Sequence, residues 1–129
     1  MGQTEFLQWV EENAEYVQEV GKLIAQPIHA SDPESLKEQM MLLLTHRATL
    51  VAMLSLLNKF LTIARLEFLP EKSKEKSDMD RRAMLEKETA EHEYWVQLVN
   101  GFITTIDKQV SSSQTILSYE KKAWTQPMD

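Results

Sequence analysis

Three histidines, His29, His46 and His92, are the side chains of this chain best suited to metal or acid–base chemistry, and their spacing supplies neither. Two helical imidazoles share a zinc when they stand four residues apart on one face, and no pair here does so. A carboxylate-bridged di-metal bundle needs Glu-x-x-His, but Thr89 holds that place before His92 and Leu43 before His46. Glu88 and Glu91 gather beside His92, which reads as a polar stretch near the tip of a helical hairpin. The sequence therefore predicts no metal and no cofactor.

Nucleophiles fare no better. There is no cysteine, no Gly-x-Ser-x-Gly elbow, no phosphate-binding Walker loop and no glycine-rich dinucleotide turn. Adjacent acids such as Glu11 and Glu12 are what a solvated helix face of an acidic chain carries, so the expectation is a protein that is not an enzyme. Two clusters suit binding instead. Lys72, Lys74, Lys76, Arg81 and Arg82 form the one local basic group and are the candidate contacts for a nucleic-acid backbone. Glu71, Glu75, Asp78 and Asp80 interleave with them and no aromatic stands among them for base stacking, which favours a solvated loop. Trp9, Glu12, Tyr16 and Glu19 make a candidate partner face on an acidic helix, with packing at the core edge as the plainer reading of the two aromatics.

Composition sets the frame in which such residues must be held. A chain of 129 residues with 43% apolar content fits one domain with its own core, and three glycines and four prolines leave little for the turns of a many-stranded sheet. The absence of cysteine fits a reducing compartment, and the first ten residues hold Glu5 with no basic start, so a cytoplasmic protein without a secretory leader is expected. The longest uncharged run in the apolar middle, Ala48 to Asn58, is about half of the ~20 residues that span a bilayer, and no membrane association is expected. Net charge is −6, yet it is unevenly spread. Eight acids oppose Lys22 and Lys37 up to Glu38, whereas eight bases face six acids from Lys59 to Lys87.

The periodicity is helical throughout. Phe6, Val10, Ala14 or Asn13, Val17, Val20 and Ile24 place one helix over about 5–25, with Thr4 as its cap and Gln26-Pro27 as its stop. A second helix over 33–69 starts at Ser31-Asp32-Pro33-Glu34, either with Ser31 and Glu34 as a capping box or with Asp32 capping and Pro33 first in the helix, and ends at Pro70. Its seam is Leu36, Met40, Leu43, Arg47, Leu50, Leu54, Leu57, Leu61, Ala64 and Phe68, a coiled-coil ladder whose one charged rung is Arg47. Arg47 either pairs with an acid of another helix or carries its head to solvent over a packed stem. After a charged connection over 70–77, a third helix over 78–123 repeats the pattern at Leu85, Thr89, His92, Val96, Val99, Ile103, Ile106, Val110, Ser113, Leu117, Glu120 and Trp124. Gly101 lies inside it at a cost of roughly 1 kcal/mol relative to alanine.

These elements predict an all-α fold: a long antiparallel helical hairpin with an N-terminal third helix, bundle-like and oligomeric. The first helix is about half the length of the second. Folded over the open end of the hairpin, it would cover the second helix from about Pro33 to Met53 and leave the distal half bare. Met53, Leu56, Phe60 and Ile63 form a second apolar stripe on that half, and they are the expected self-association surface.

Leu98-Val99-Asn100-Gly101-Phe102-Ile103-Thr104-Thr105-Ile106-Asp107, followed by Ser113-Gln114-Thr115-Ile116-Leu117-Ser118-Tyr119-Glu120-Lys121, resembles the C-terminal helix of small helical accessory proteins that phages and prophages encode beside recombination or replication genes. The likeness covers about a quarter of the chain and brings no catalytic motif with it. It implies a non-enzymatic accessory role in DNA metabolism. Three functional expectations follow: a helical homo-oligomeric adaptor that binds another protein, a nucleic-acid binder acting through the basic tips, or a virus-encoded inhibitor that sets its acidic helical face on a host protein.

Overall fold

The computed structural model describes residues 2–72 and 77–125, with side chains for 2–68 and 77–121. Three helices account for it: α1 (Gly2–Ile24), α2 (Pro33–Lys72) and α3 (Asp78–Thr125), with no strand among the described residues. The all-α expectation holds. α2 and α3 pack along one another as the long hairpin, and α1 lies in the groove they form.

Local chemistry fixes the starts. The carbonyl of Asp32 accepts the Leu36 N–H at 2.9 Å and its carboxylate accepts the Glu34 N–H at 3.2 Å and the Ser35 hydroxyl at 2.7 Å, so Asp32 caps α2 and Pro33 stands first. These bonds, the Ser35 hydroxyl first, hold the Asp32 carboxyl below its ordinary value. Ser77 does the same for α3, accepting the Asp80 N–H on its hydroxyl at 3.2 Å and the Arg81 N–H on its carbonyl at 2.9 Å. α2 passes Pro70 by two residues, and α1 begins at Gly2 ahead of Thr4.

The core is the one the three stripes describe. Phe6, Val17, Val20 and Ile24 of α1 meet Leu43, Leu50 and Leu57 of α2 and Val99, Ile103, Ile106 and Val110 of α3, all of them buried. Trp9 closes edge-on to Trp95, with ring centroids 5.7 Å apart. Arg47 is the half-exposed rung, and its Nε donates to Asp107 Oδ1 at 2.6 Å, so the charge is paired across the hairpin while its head stays wet. That contact, the hydrogen bond first, raises the guanidinium pKa further above its ordinary value.

The placement of α1 corrects the expected one. Its N-terminus, and not the open end of the hairpin, marks where it lies: Gly2 sits so close to Ile63 that a Cβ there would be 2.7 Å from Ile63 Cγ2, and Phe6 meets Phe60 edge-on at 6.0 Å. Farther along, the Tyr16 hydroxyl and His46 Nδ1 are 2.7 Å apart, and Gln109 Nε2 donates to the Ile24 carbonyl at 2.7 Å. α1 therefore covers α2 from Ile63 past His46 to about Leu42, where Leu23 shares a pocket with Gln39 and Leu42, and the connection after Ile24 spans the open end of the hairpin. Gln39 holds that connection, accepting the His29 N–H at 2.9 Å and donating to the Pro27 carbonyl at 3.2 Å. The stripe proposed for self-association is thus packing for α1: Phe60 is buried at 6% exposure, Met53 and Ile63 are half-buried, and Leu56 alone of the four stays exposed. The premise that this half of α2 lacks a third helix does not hold.

Candidate interaction surface

α2 is apolar on two sides, and α1 and α3 use only one of them. Every position of a second heptad ladder, Glu34, Glu38, Met41, Thr45, Ala48, Ala52, Ser55, Lys59, Thr62 and Leu66, is exposed. The ladder runs down the side of α2 opposite the buried seam, since residues seven apart, and their partners four further on, share one face of a helix. Leu42, Leu44, Val51 and Leu56 flank it and are exposed as well, at 45%, 39%, 42% and 38%. Met41 and Leu66 on the ladder itself stand 62% and 61% exposed.

Between Lys37-Glu38 and Lys59, a length of roughly 30 Å at 1.5 Å per residue, the fully exposed positions of α2 carry no charge; the half-exposed Arg47 is on the seam side and is paired with Asp107. Its hydroxyls ask little of a neighbour. Thr45 donates to the Met41 carbonyl at 3.0 Å, Thr62 to the Asn58 carbonyl at 2.9 Å and Thr49 to the Thr45 carbonyl at 3.4 Å, so their donors are spent within α2. What remains outward is mainly methyl, methylene and thioether surface, with small residues, Ala48, Ala52 and Ser55, at its middle and the Ser55 hydroxyl and Asn58 amide as its polar groups. Contiguous apolar surface of this kind marks a face that something else covers. α2 is also, by length and composition, the one helix among the described residues apolar enough to cross a membrane, and 17% of its most apolar stretch is buried.

The residues singled out from the sequence fall elsewhere. Trp9 is buried at 7% exposure and Tyr16 is half-buried on His46, which removes both aromatics from the candidate partner face and leaves Glu12 and Glu19 exposed there, Glu12 accepting from Gln8 and Glu19 paired with Lys22. Of the candidate nucleic-acid contacts, Lys74 and Lys76 lie outside the described residues and so does the side chain of Lys72; Arg81 and Arg82 are exposed, with Arg81 3.4 Å from Asp78. No group of three or more His, Cys, Asp or Glu side chains close enough to hold a metal occurs among the described residues. The outer ladder carried a signal in the sequence, a 4-3 repeat offset from the buried one, which was hidden by the stronger leucine seam beside it.

Two further features frame the surface. An open apolar groove between α1 and α3, about 440 Å³, is lined by Val17, Gly21, Ala25, Tyr94, Leu98 and Phe102. Beneath the other end of α1, His92 is 2% exposed, stacked on Phe6 at 3.9 Å between centroids, and its Nδ1 has no hydrogen-bond partner. Burial depresses the His92 imidazole below its ordinary pKa, against a small opposing effect of Glu91. Comparison with protein-family models, curated proteins and solved structures found no match to this chain.

Proposed function

We propose that the chain is a non-enzymatic helical adaptor that works by presenting the outer face of α2 to another protein surface. One observation carries the reading: from Met41 to Asn58 every fully exposed position of α2 is uncharged, and no described residue of the fold packs against that face. The setting in phage or prophage DNA metabolism rests on the resemblance of residues 98–121. The α3 segment that carries it is anchored to α2 through Asp107 and Arg47, and it exposes Asn100, Thr104 and Tyr119.

The test places a charge on the face without touching the core. Ala48→Glu is expected to keep the helical circular dichroism of the parent and to abolish binding, read as solution mass by light scattering and as partner capture after nuclease treatment. A variant that changes neither mass nor capture would remove the reading. Capture that disappears with nuclease and is indifferent to Ala48→Glu would move the function to nucleic acid.

A further inference from the structure

We infer that the outer face of α2 pairs with the same face of a second copy of this chain, antiparallel, with Ala48 of each copy against Ala52 of the other. The inference rests on the interaction reading above and adds the occupant and its direction. Orientation is decided by charge. A parallel pair would bring Lys59 against Lys59 and Glu38 against Glu38, like charges at both ends of an otherwise uncharged strip. Turned antiparallel about a two-fold axis through the 48–52 layer, the strip meets itself. Lys59 then lays its stem over Met41 of the other copy and reaches Glu38 one turn away, and symmetry repeats the contact.

The apolar residues agree with this register. Antiparallel pairing sets like flanks together, so Leu42 of one copy lies near Leu56 of the other, Val51 lies near its own symmetry mate, and Leu44 borders the exposed Asn58 of the other copy. The small side chains Ala48, Ala52 and Ser55 come at the crossing, where two helices approach most closely. Thr45 faces Ser55 with its donor already spent on the Met41 carbonyl. The surface is therefore complementary to itself in size, polarity and charge, which is what an isologous interface requires.

The chain has no cysteine, so engineered cysteines report the arrangement directly. Light scattering of the parent is expected to give twice the 15.0 kDa chain mass, and Ala48→Glu with Ala52→Glu is expected to return it to one. Glu38→Lys and Lys59→Glu should each weaken the dimer roughly tenfold, because each change acts twice across the axis, and their combination should recover most of that loss. Met41→Cys mixed with Lys59→Cys should yield a disulfide-linked pair of the two, while Lys59→Cys alone should not cross-link. A parent chain of single mass overturns the inference; if it still captures a different protein through the 48–52 face, the interaction reading stands, and if it captures none, both fall. Cross-linking of Lys59→Cys alone overturns the antiparallel pairing. A parent of single mass that co-sediments with phosphatidylcholine vesicles gives the face to a lipid surface instead.

Discussion

Along one side of α2, Leu36, Leu43, Leu50, Leu57, Leu61 and Phe68 are between 0% and 7% exposed, while along the other side Met41, Ala48, Ala52, Ser55 and Leu66 all face solvent. Both sides keep a heptad period and both are free of fully exposed charge between Glu38 and Lys59, so the period alone does not separate them. Partners do. The inner side is satisfied within the chain by α1 and α3, and its residues are accounted for by folding alone. The outer side is exposed among the described residues, and its lack of charge between Glu38 and Lys59 would be an aggregation liability unless something covers it. A helix that is apolar beyond the needs of its own fold is where function is most economically sought.

The largest expected effect separates the two sides by stability. Leu50→Ala removes a side chain with 0% exposure and should cost roughly 2–5 kcal/mol in chemical denaturation. Val51→Ala, one residue along but 42% exposed, should cost less than about 0.5 kcal/mol when both are measured in the monomeric Ala48→Glu, Ala52→Glu background. Equal losses at the two positions would mean that the outer side is packed within the monomer, and the contrast would disappear.

A second expectation concerns how the inner side is closed. His92 is buried against Phe6 of α1, with its Nδ1 unpartnered. An unfolded imidazole titrates near 6.5, and the folded one lower because burial disfavours its charged form. Below pH 6.5 the unfolded chain therefore binds more protons than the folded chain. The stability is complete above that pH and is lost as pH falls toward the folded value, at no more than about 1.4 kcal/mol per pH unit from this one group. The α1–α3 contact should loosen first, followed by fluorescence of Trp9 and Trp95. His92→Phe keeps a ring on Phe6 without the titration, and the slope of stability between pH 7 and 5 should flatten by the His92 share. An unchanged slope would show that other groups carry it.

Much of the inner side was legible in advance. The three stripes name most of the buried residues, though not Trp9, Phe60 or Trp95, because a helix core is written at fixed spacing, and Asp32-Pro33 marks its helix start by a local rule that tertiary structure did not override. Arg47 announced itself as the one charge in a leucine seam and found Asp107. The height of α1 on the hairpin was not legible. It depends on the path of the 25–32 connection, which Gln39 ties down with two backbone hydrogen bonds, and a single glutamine beside a seam gives no periodic signal. That displacement moved α1 over Phe60 and Ile63 and shifted the unpartnered surface from the Met53 stripe to the Ala48 ladder. The outer ladder itself could have been read. Its period is as regular as the inner one, but Thr, Ala and Ser carry little hydrophobic signal even where, as at Thr45 and Thr49, the hydroxyl is already bonded within the helix.

The smallest expected effect tests packed against open surface with one kind of substitution at two glycines. A Cβ at Gly21 would stand 3.0 Å from Phe102 Cζ, tighter than ordinary contact, so the ring that lines the α1–α3 groove must move aside to admit it. A Cβ at Gly101, one residue before Phe102, meets nothing within 4 Å. Both glycines lie inside helices, where alanine is favoured by roughly 1 kcal/mol. Gly101→Ala should therefore raise monomer stability by about that amount, whereas at Gly21 the gain is opposed by the displaced Phe102 and should shrink or change sign. A Gly101→Ala variant that melts lower than the parent would place a neighbour against that turn of α3 that the described residues do not supply.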